Sequence, residues 1–305
     1  MPSEPACATC GARLTGRWCS NCGERARKPG EVSLREYLAE FAEAAVNLDG
    51  RFLGSLRRLI FRPGLLTIEY MAGRRVCWMR PLHLFLLINL LFFLLAGGWT
   101  AFSTPLQVHM TVSGFPHQSL ALDWVNRHLN EPALEKEQWS AVIQSATGGE
   151  LELDETAEQA RERLIDYTRQ FNRRTDITAR SLIIALVPLA TLFPMLAFIR
   201  RRESVVKHLV FATHWTTTMI LFLLISGWIT LLAIQSDLLP AHRDDLMASS
   251  ISGGLVLAWS TAAFRKVYAT GWVVAILTGL GMLVWWGLFI QLYRSLLFFV
   301  VFWTL

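Results

Sequence analysis

Apolar runs alternate with polar segments along most of the chain. Runs close to one bilayer thickness cover residues 82–102, 181–199, 208–234, 246–264 and 271–293. Runs of this length predict transmembrane helices, and Pro188 and Pro194 should bend the second one. The polar segment 103–178 carries two weaker helical stripes and predicts a small helical loop domain outside the cytoplasm. The pattern predicts an all-α polytopic membrane protein with about five spans and an interfacial tail at 294–305.

Residues 28–81, ahead of the first long run, predict short helices with one apolar face. One stripe runs from Ser33, which can cap a helix, to Leu48. A shorter helix follows Gly50, and another begins at Pro63, which suits a first helical position, and ends before Gly73. At about ten residues the last of these is too short to span a bilayer. Two placements stay open, one in the membrane interface and one packed against the other spans.

The segment from Arg51 to Arg80, here called the basic collar, holds seven arginines and one acid, Glu69. Such a block beside a span is retained in the cytosol and attracts anionic lipid. The segment 103–178 is acidic by comparison, so it is expected outside. This predicts a cytosolic N-terminus and a C-terminus on the periplasmic side of a bacterial inner membrane. The collar residues expected to face lipid or a partner are Arg51, Arg58, Arg62, Arg74, Arg75 and Arg80.

Composition agrees with this layout. Of 305 residues, 53% are hydrophobic and 17% charged, which is typical of multi-pass membrane proteins. The net charge of +5 belongs to the collar side of the chain and does not indicate nucleic-acid binding. The first 30 residues are polar and cysteine-rich, so no cleavable signal peptide is expected. Insertion into the membrane is therefore expected to begin at the first span.

Four cysteines form two Cys-x-x-Cys-Gly knuckles, Cys7 with Cys10 and Cys19 with Cys22. Four thiolates suit one tetrahedral Zn²⁺ without a vacant position, so residues 1–27 are predicted to be a structural zinc ribbon with one zinc per chain. A redox-active Cys-x-x-Cys pair and an iron–sulfur cluster are alternatives, and neither explains two equivalent knuckles as well. The fifth cysteine, Cys77, is interpreted as a small interfacial hydrophobic residue.

A resemblance accompanies these motifs. The knuckles are followed by Asn47-Leu48-Asp49, Arg62-Pro63-Gly64, Glu69-Tyr70, Gly73-Arg74-Arg75 and Pro81. This series resembles the bacterial membrane-protein family called domain of unknown function 3667, over roughly residues 7–95. The chain has Arg74 where that family usually has lysine, Trp78 in place of tyrosine, and Glu24 in place of glutamine. The family implies no activity, so the resemblance supports the architecture alone.

Polar residues inside the predicted spans are the remaining candidates for function. His83, Asn89 and His214 are interpreted as a possible intramembrane polar site, although a hydrogen-bonded structural histidine is the commoner role. The sequence contains no nucleophile motif, phosphate-binding glycine loop or metalloprotease pair, so we expect no enzyme. A non-enzymatic scaffold or sensor, docking a cytosolic partner or anionic lipid through the ribbon and collar, is favoured. The alternatives are a transporter or lipid-handling protein for a neutral or anionic cargo, and an integral-membrane enzyme.

Overall fold

A computed structural model describes residues 6–25, 51–96, 155–236 and 244–305, with isolated positions between 104 and 127. In this part of the chain the α-helices are α1 (Phe52–Phe61), α2 (Leu65–Met71), α3 (Pro81–Leu95), α4 (Glu155–Leu182), α5 (Leu186–Ala197), α6 (Val205–Gln235), α7 (Asp244–Val267) and α8 (Trp272–Thr304). The described residues contain no β-strand, only two isolated bridges in the cysteine-rich segment. The helix expected from Ser33 to Leu48 and most of the loop domain at 103–178 lie outside the described residues.

The chain divides into two compact units. The first comprises Met1–Gly97 and Val187–Trp286, and the second comprises Gly98–Leu186 and Gly287–Leu305. The cysteine knuckles and the basic collar belong to the first unit, together with α6 and α7. The candidate sites described below therefore all lie in that unit.

Helix α6 forms the centre of the first unit. It packs against α1, α2, α3 and α7, and Trp215 on it is fully buried. The Trp215 indole donates a hydrogen bond of 2.9 Å to the Ser260 hydroxyl of α7. Thr217 and Thr218 are also buried, and their hydroxyls donate to backbone carbonyls four residues earlier. These bonds let polar side chains lie in an apolar interior without a partner on another helix.

Apolar helices long enough to cross a membrane are present. The segments Val205–Ala233 and Trp272–Thr304 meet that requirement, and the pair Ile165–Arg180 and Ile183–Ala197, bent by 47°, makes a third if it is one span. A short 3₁₀ turn at Ile183–Ala185 lies three to five residues ahead of Pro188, whose ring removes a hydrogen bond and displaces the preceding turn.

The described residues contain two or three helices long enough to span a membrane. The predicted total of five spans stays a prediction. Helix α3, at the predicted first span, has 15 residues. At 1.5 Å per residue it covers about 22 Å, less than a bilayer core of about 30 Å. The predicted tail at 294–305 continues α8 without a break as far as Thr304.

The second unit is held by contacts between α4 and the end of α8. Phe171 and Phe298 are fully buried, with ring centroids 5.5 Å apart. The Tyr293 hydroxyl donates a hydrogen bond of 3.0 Å to the Ala179 carbonyl. These contacts pack the C-terminal turns of α8 against α4.

Candidate metal centre and basic collar

The two cysteine knuckles have the same backbone geometry. In the first, the Gly11 amide donates to the Cys7 carbonyl at 2.9 Å, and in the second the Gly23 amide donates to the Cys19 carbonyl at 2.9 Å. Both glycines have left-handed backbone angles, with φ of 74° and 72°. A residue with a Cβ is strained in that conformation, which explains a glycine after the second cysteine of each knuckle.

The knuckles bring the four sulfur atoms together. All four Sγ atoms lie within 4.8 Å of one another, with 3.5 Å between Cys7 and Cys22 and 3.6 Å between Cys10 and Cys19. Four sulfurs bound tetrahedrally at about 2.3 Å from one ion would lie about 3.8 Å apart. Hydrogen bonds from the Ala12 backbone and the Asn21 side chain lower the pKa of Cys10 to about 6. The pKa of the neighbouring Cys22 is raised, because a hydrogen bond from the Glu24 backbone is outweighed by burial and the adjacent thiols. The cluster can therefore hold a metal ion.

A buried carboxylate joins this metal head, residues 6–25, to the collar. Glu24 is 6% exposed, and its Oε2 accepts hydrogen bonds from the Thr9 hydroxyl at 2.8 Å and from the amides of Arg75 and Val76 at 2.9 and 3.0 Å. The sequence drew attention to Glu24 only as a departure from a usual glutamine. Its bonding explains an acceptor side chain at this position, because two partly buried backbone amides of the collar would otherwise lose this acceptor.

The collar is a hairpin of α1 and α2 around a Pro-Gly turn. Pro63 was expected at the first position of the second helix, but that helix begins at Leu65, with Gly64 as its N-terminal cap at φ 75°. A Cβ on Gly64 would lie 2.8 Å from Val267 Cγ2 and 3.1 Å from the Ala263 carbonyl. The turn thus lies in close contact with α7. This close approach, rather than helix initiation, explains the glycine at position 64. Gly73 follows the end of α2 at φ 85°, as predicted.

Most collar arginines make contacts within the protein. Arg74 binds both carboxylate oxygens of Glu69 at 2.6 Å. Hydrogen bonding to that guanidinium lowers the pKa of Glu69. Arg58 lies over the Trp78 ring at 3.9 Å, and Arg75 over the Tyr70 ring at 4.4 Å.

Three further arginines complete the six collar residues that were expected to face lipid or a partner. Arg51 donates a hydrogen bond to the Val76 carbonyl. Arg80 borders a small cavity beside α2, and Arg62 lines an open cleft beside α7. The collar therefore consists largely of arginines that stabilise its own fold, and Arg62 lies apart from the others.

The three residues of the predicted intramembrane polar site lie on two helices, α3 and α6. His214 on α6 shares a hydrogen bond of 2.9 Å between its Nδ1 and the Thr67 hydroxyl of α2. It also borders the small cavity beside Arg80, of about 10 Å³, which is the space that one water molecule needs. His83 and Asn89 lie on α3, where Asn89 is 8% exposed. The structure thus gives His214 a packing role between α6 and the collar.

Long-range contacts that the sequence did not indicate fix the collar in place. The Trp259 indole of α7 donates to the Leu59 carbonyl of α1 at 2.9 Å, across 200 residues of sequence. The Met79 amide donates to the buried Ser55 hydroxyl at 2.8 Å. No periodicity or spacing marks Trp259 as a partner of Leu59, or Ser55 as a partner of Met79, since each contact depends on tertiary packing.

Comparison with known proteins agrees with the collar motifs. Residues 49–93 match the family model described as Protein of unknown function (DUF3667). Over these residues the chain is similar to the DUF3667 family. The match covers the collar and most of α3, so it confirms the family inferred from the Arg-Pro-Gly and Glu-Tyr motifs. No curated protein and no solved structure is significantly similar to the chain.

Proposed function

We propose that this protein is a non-enzymatic scaffold or sensor of the bacterial inner membrane, whose zinc-bearing head docks a cytosolic protein. The observation that carries the proposal is the Glu24 bridge, which fastens the metal head to the collar through the amides of Arg75 and Val76. A head held in this way presents its outer face in a fixed orientation, which lowers the entropic cost of binding a partner.

Zinc is the proposed ion because of the ligand set. Four cysteine sulfurs in two equivalent knuckles match the structural zinc sites of ribbon-type modules. A closed four-thiolate site supplies folding energy rather than catalysis. The head contains few residues besides the knuckles, so its conformation, and the bridge to the collar, would depend on the metal.

The outer face of the head carries an exposed aromatic residue that fits a docking role. Trp18 is 62% exposed, and the Arg25 guanidinium lies 5.8 Å from the centre of its ring. Tryptophan and arginine dominate the binding energy of many protein interfaces. We therefore place the partner-binding face around Trp18, on the metal head.

The proposed orientation follows the positive charge. Arg200, Arg201 and Arg202 precede α6, and Arg265 and Lys266 end α7, so these helix ends are placed in the cytosol with the collar. Reporter fusions at residues 205 and 150 test this orientation. We expect cytosolic activity at 205 and periplasmic activity at 150, and the reverse pattern would contradict the proposal.

Site-specific photocrosslinking in cells tests the docking itself. A photoreactive amino acid at Trp18 should give one discrete adduct with a cytosolic protein, and the adduct should be lost in Cys10→Ser. Arg57→Gln serves as the matched control, because Arg57 is exposed on α1 outside the metal head and should leave the adduct intact. A correctly inserted, zinc-loaded protein that gives no protein adduct would contradict a docking role for the head.

A further inference from the structure

An open cleft of about 800 Å³ lies where the collar hairpin meets the end of α7 and the start of α8. This volume is within the range of sites that bind small molecules. Its lining includes Phe61, Arg62, Arg265, Lys266, Thr270 and Trp272. They come from two separate parts of the sequence, which the fold brings together in the first unit.

The lining carries three positive charges and no acidic residue. Arg265 and Lys266 come from the last turn of α7, and Arg62 comes from the collar. Within the described part of the chain, neither Arg62 nor Lys266 takes part in an ion pair. Cations at the end of α7 would by themselves complement that helix terminus. The addition of Arg62 from another element exceeds this role and makes the cleft an anion-attracting site.

The approach of Arg62 to α7 is built into the backbone. Gly64 packs against Val267 and Ala263 too closely for a side chain of its own, and Arg62 lies two residues earlier in the same turn. The Leu65 amide donates to the Arg62 carbonyl at 3.1 Å, which closes the turn. The turn thus fixes the backbone of Arg62 beside α7, the helix that carries Arg265 and Lys266.

A buried hydroxyl provides independent evidence for a ligand. Thr270 is 7% exposed, and its Oγ1 has no hydrogen-bond partner among the described residues. Its backbone is fixed by a hydrogen bond of 3.2 Å from its amide to the Arg265 carbonyl, next to Ala269 at φ 48°. Buried polar groups nearly always have a partner, so an unpartnered hydroxyl lining a cationic cleft is suited to an anionic oxygen.

The borders of the cleft indicate where its occupant comes from. Phe61 and Trp272 are 75% and 58% exposed, and Arg265 lies over the Trp272 ring at 4.1 Å. Trp272 is also the first residue of the candidate span Trp272–Thr304. Exposed aromatic residues at the end of a span lie at the depth of lipid headgroups, where the local anions are lipid phosphates.

We propose that this cleft binds the phosphate-bearing headgroup of an anionic membrane lipid. Arg62 and Arg265 can each bind two phosphate oxygens, Lys266 adds a third charge, and the Thr270 hydroxyl donates a hydrogen bond. The metal head takes no part in this site. The proposal therefore goes beyond the docking function and shares with it only the placement of the basic helix ends at the membrane interface.

Native mass spectrometry of the full-length protein in detergent tests the site. The protein is titrated with phosphatidylglycerol and, separately, with phosphatidylcholine of the same acyl chains. We expect the first phosphatidylglycerol to bind at least about tenfold more tightly, since each basic residue near an anionic surface contributes about 1 kcal/mol. The double variant Arg62→Gln/Lys266→Gln should reduce this preference about tenfold or more, and Thr270→Val should reduce it about threefold with unchanged metal content.

The matched control is Arg17→Gln/Arg57→Gln, which removes the same charge from two exposed arginines outside the cleft. It should retain the preference. The proposal is overturned if the wild-type protein does not distinguish the two lipids, or if the control loses the preference as the cleft variant does. Inorganic phosphate that displaces the lipid at equal concentration would instead identify a soluble anion as the occupant. Absence of the Trp18 adduct together with an intact lipid preference would contradict the docking function and would support the lipid site.

Discussion

Positively charged side chains lie on two sides of the collar, and they differ in the contacts that they make. Beside the metal head, Arg74 is bound to Glu69, and Arg75 lies against Tyr70 while its amide binds Glu24. At the cleft, Arg62 and Lys266 have no ion pair within the described residues. A high density of arginines in a sequence indicates on which side of the membrane the segment lies. A binding surface requires in addition that the charged side chains are not already paired within the protein.

The largest difference between the two sides is expected on loss of the metal. Cys10→Ser, or chelation, should lower the content from about one ion per chain to nearly none, because a four-ligand site loses its geometry. Amide exchange at Arg75 and Val76 should then accelerate, while the phosphatidylglycerol preference stays unchanged. Metal analysis and hydrogen exchange measure these effects. Retained protection of both amides in the metal-free protein would show that the head does not stabilise the collar.

A glycine substitution affects the cleft side instead. Gly64→Ala places a Cβ 2.8 Å from Val267 at a positive φ, so we expect the free energy of unfolding to fall by about 3 kcal/mol, with a weaker lipid preference. Gly253→Ala is the control, because nothing lies within 4 Å of a Cβ at that helical position. Thermal unfolding in detergent compares them, and equal stability of the two variants would mean that the turn does not press on α7.

The Glu24 bridge can be removed without changing the metal ligands. Glu24→Ala leaves the Arg75 and Val76 amides without their acceptor, which should cost about 2 kcal/mol. Glu24→Gln retains a carbonyl oxygen for those amides and should cost less than half as much. Hydrogen exchange at the two amides distinguishes the variants. Equal protection of the amides in both variants would show that Glu24 does not link the head to the collar.

The smallest effect concerns the ion pair between Glu69 on α2 and Arg74 just after that helix. The Arg74 guanidinium lowers the pKa of Glu69 from its ordinary value of 4.5, so the pair stabilises the folded state above that pH and the contribution disappears as pH falls through the lowered pKa. Because the pair is partly exposed, Glu69→Gln should cost about 1 kcal/mol at neutral pH. The difference in stability between the variant and the wild-type protein should vanish under acid conditions. If this difference in stability did not change with pH, it would come from packing and not from the ion pair.

Local features of this fold were predictable from the sequence. The metal head follows from four cysteines and two glycines, and the end of α2 follows from Gly73, because each depends on residues close together in the chain. The family match also agrees with short motifs. Contacts between distant segments were not predictable. Pro63 suggested a helix start, yet the position of Gly64 is determined by α7, some 200 residues further along.

The same limit applies to the candidate sites. Arg62 was recognised as one cation among several, and only the packing of the collar on α7 sets it beside Arg265 and Lys266. Glu24 was visible as a departure from the family pattern, but its hydrogen bonds to residues 51 and 52 positions away depend on the folded collar. Sequence patterns identify candidate groups, and tertiary packing decides which of them remain available.

The bond from Trp259 to the Leu59 carbonyl has a consequence for synthesis. Ribosomes add about 5 to 20 residues per second, so the 200 residues between these partners take roughly 10 to 40 s to translate. During that interval the hairpin of α1 and α2 has already emerged but lacks the helix that covers it. Nascent chains stalled before residue 259 should therefore be cleaved by an added protease between α1 and α2, and chains released after residue 267 should resist.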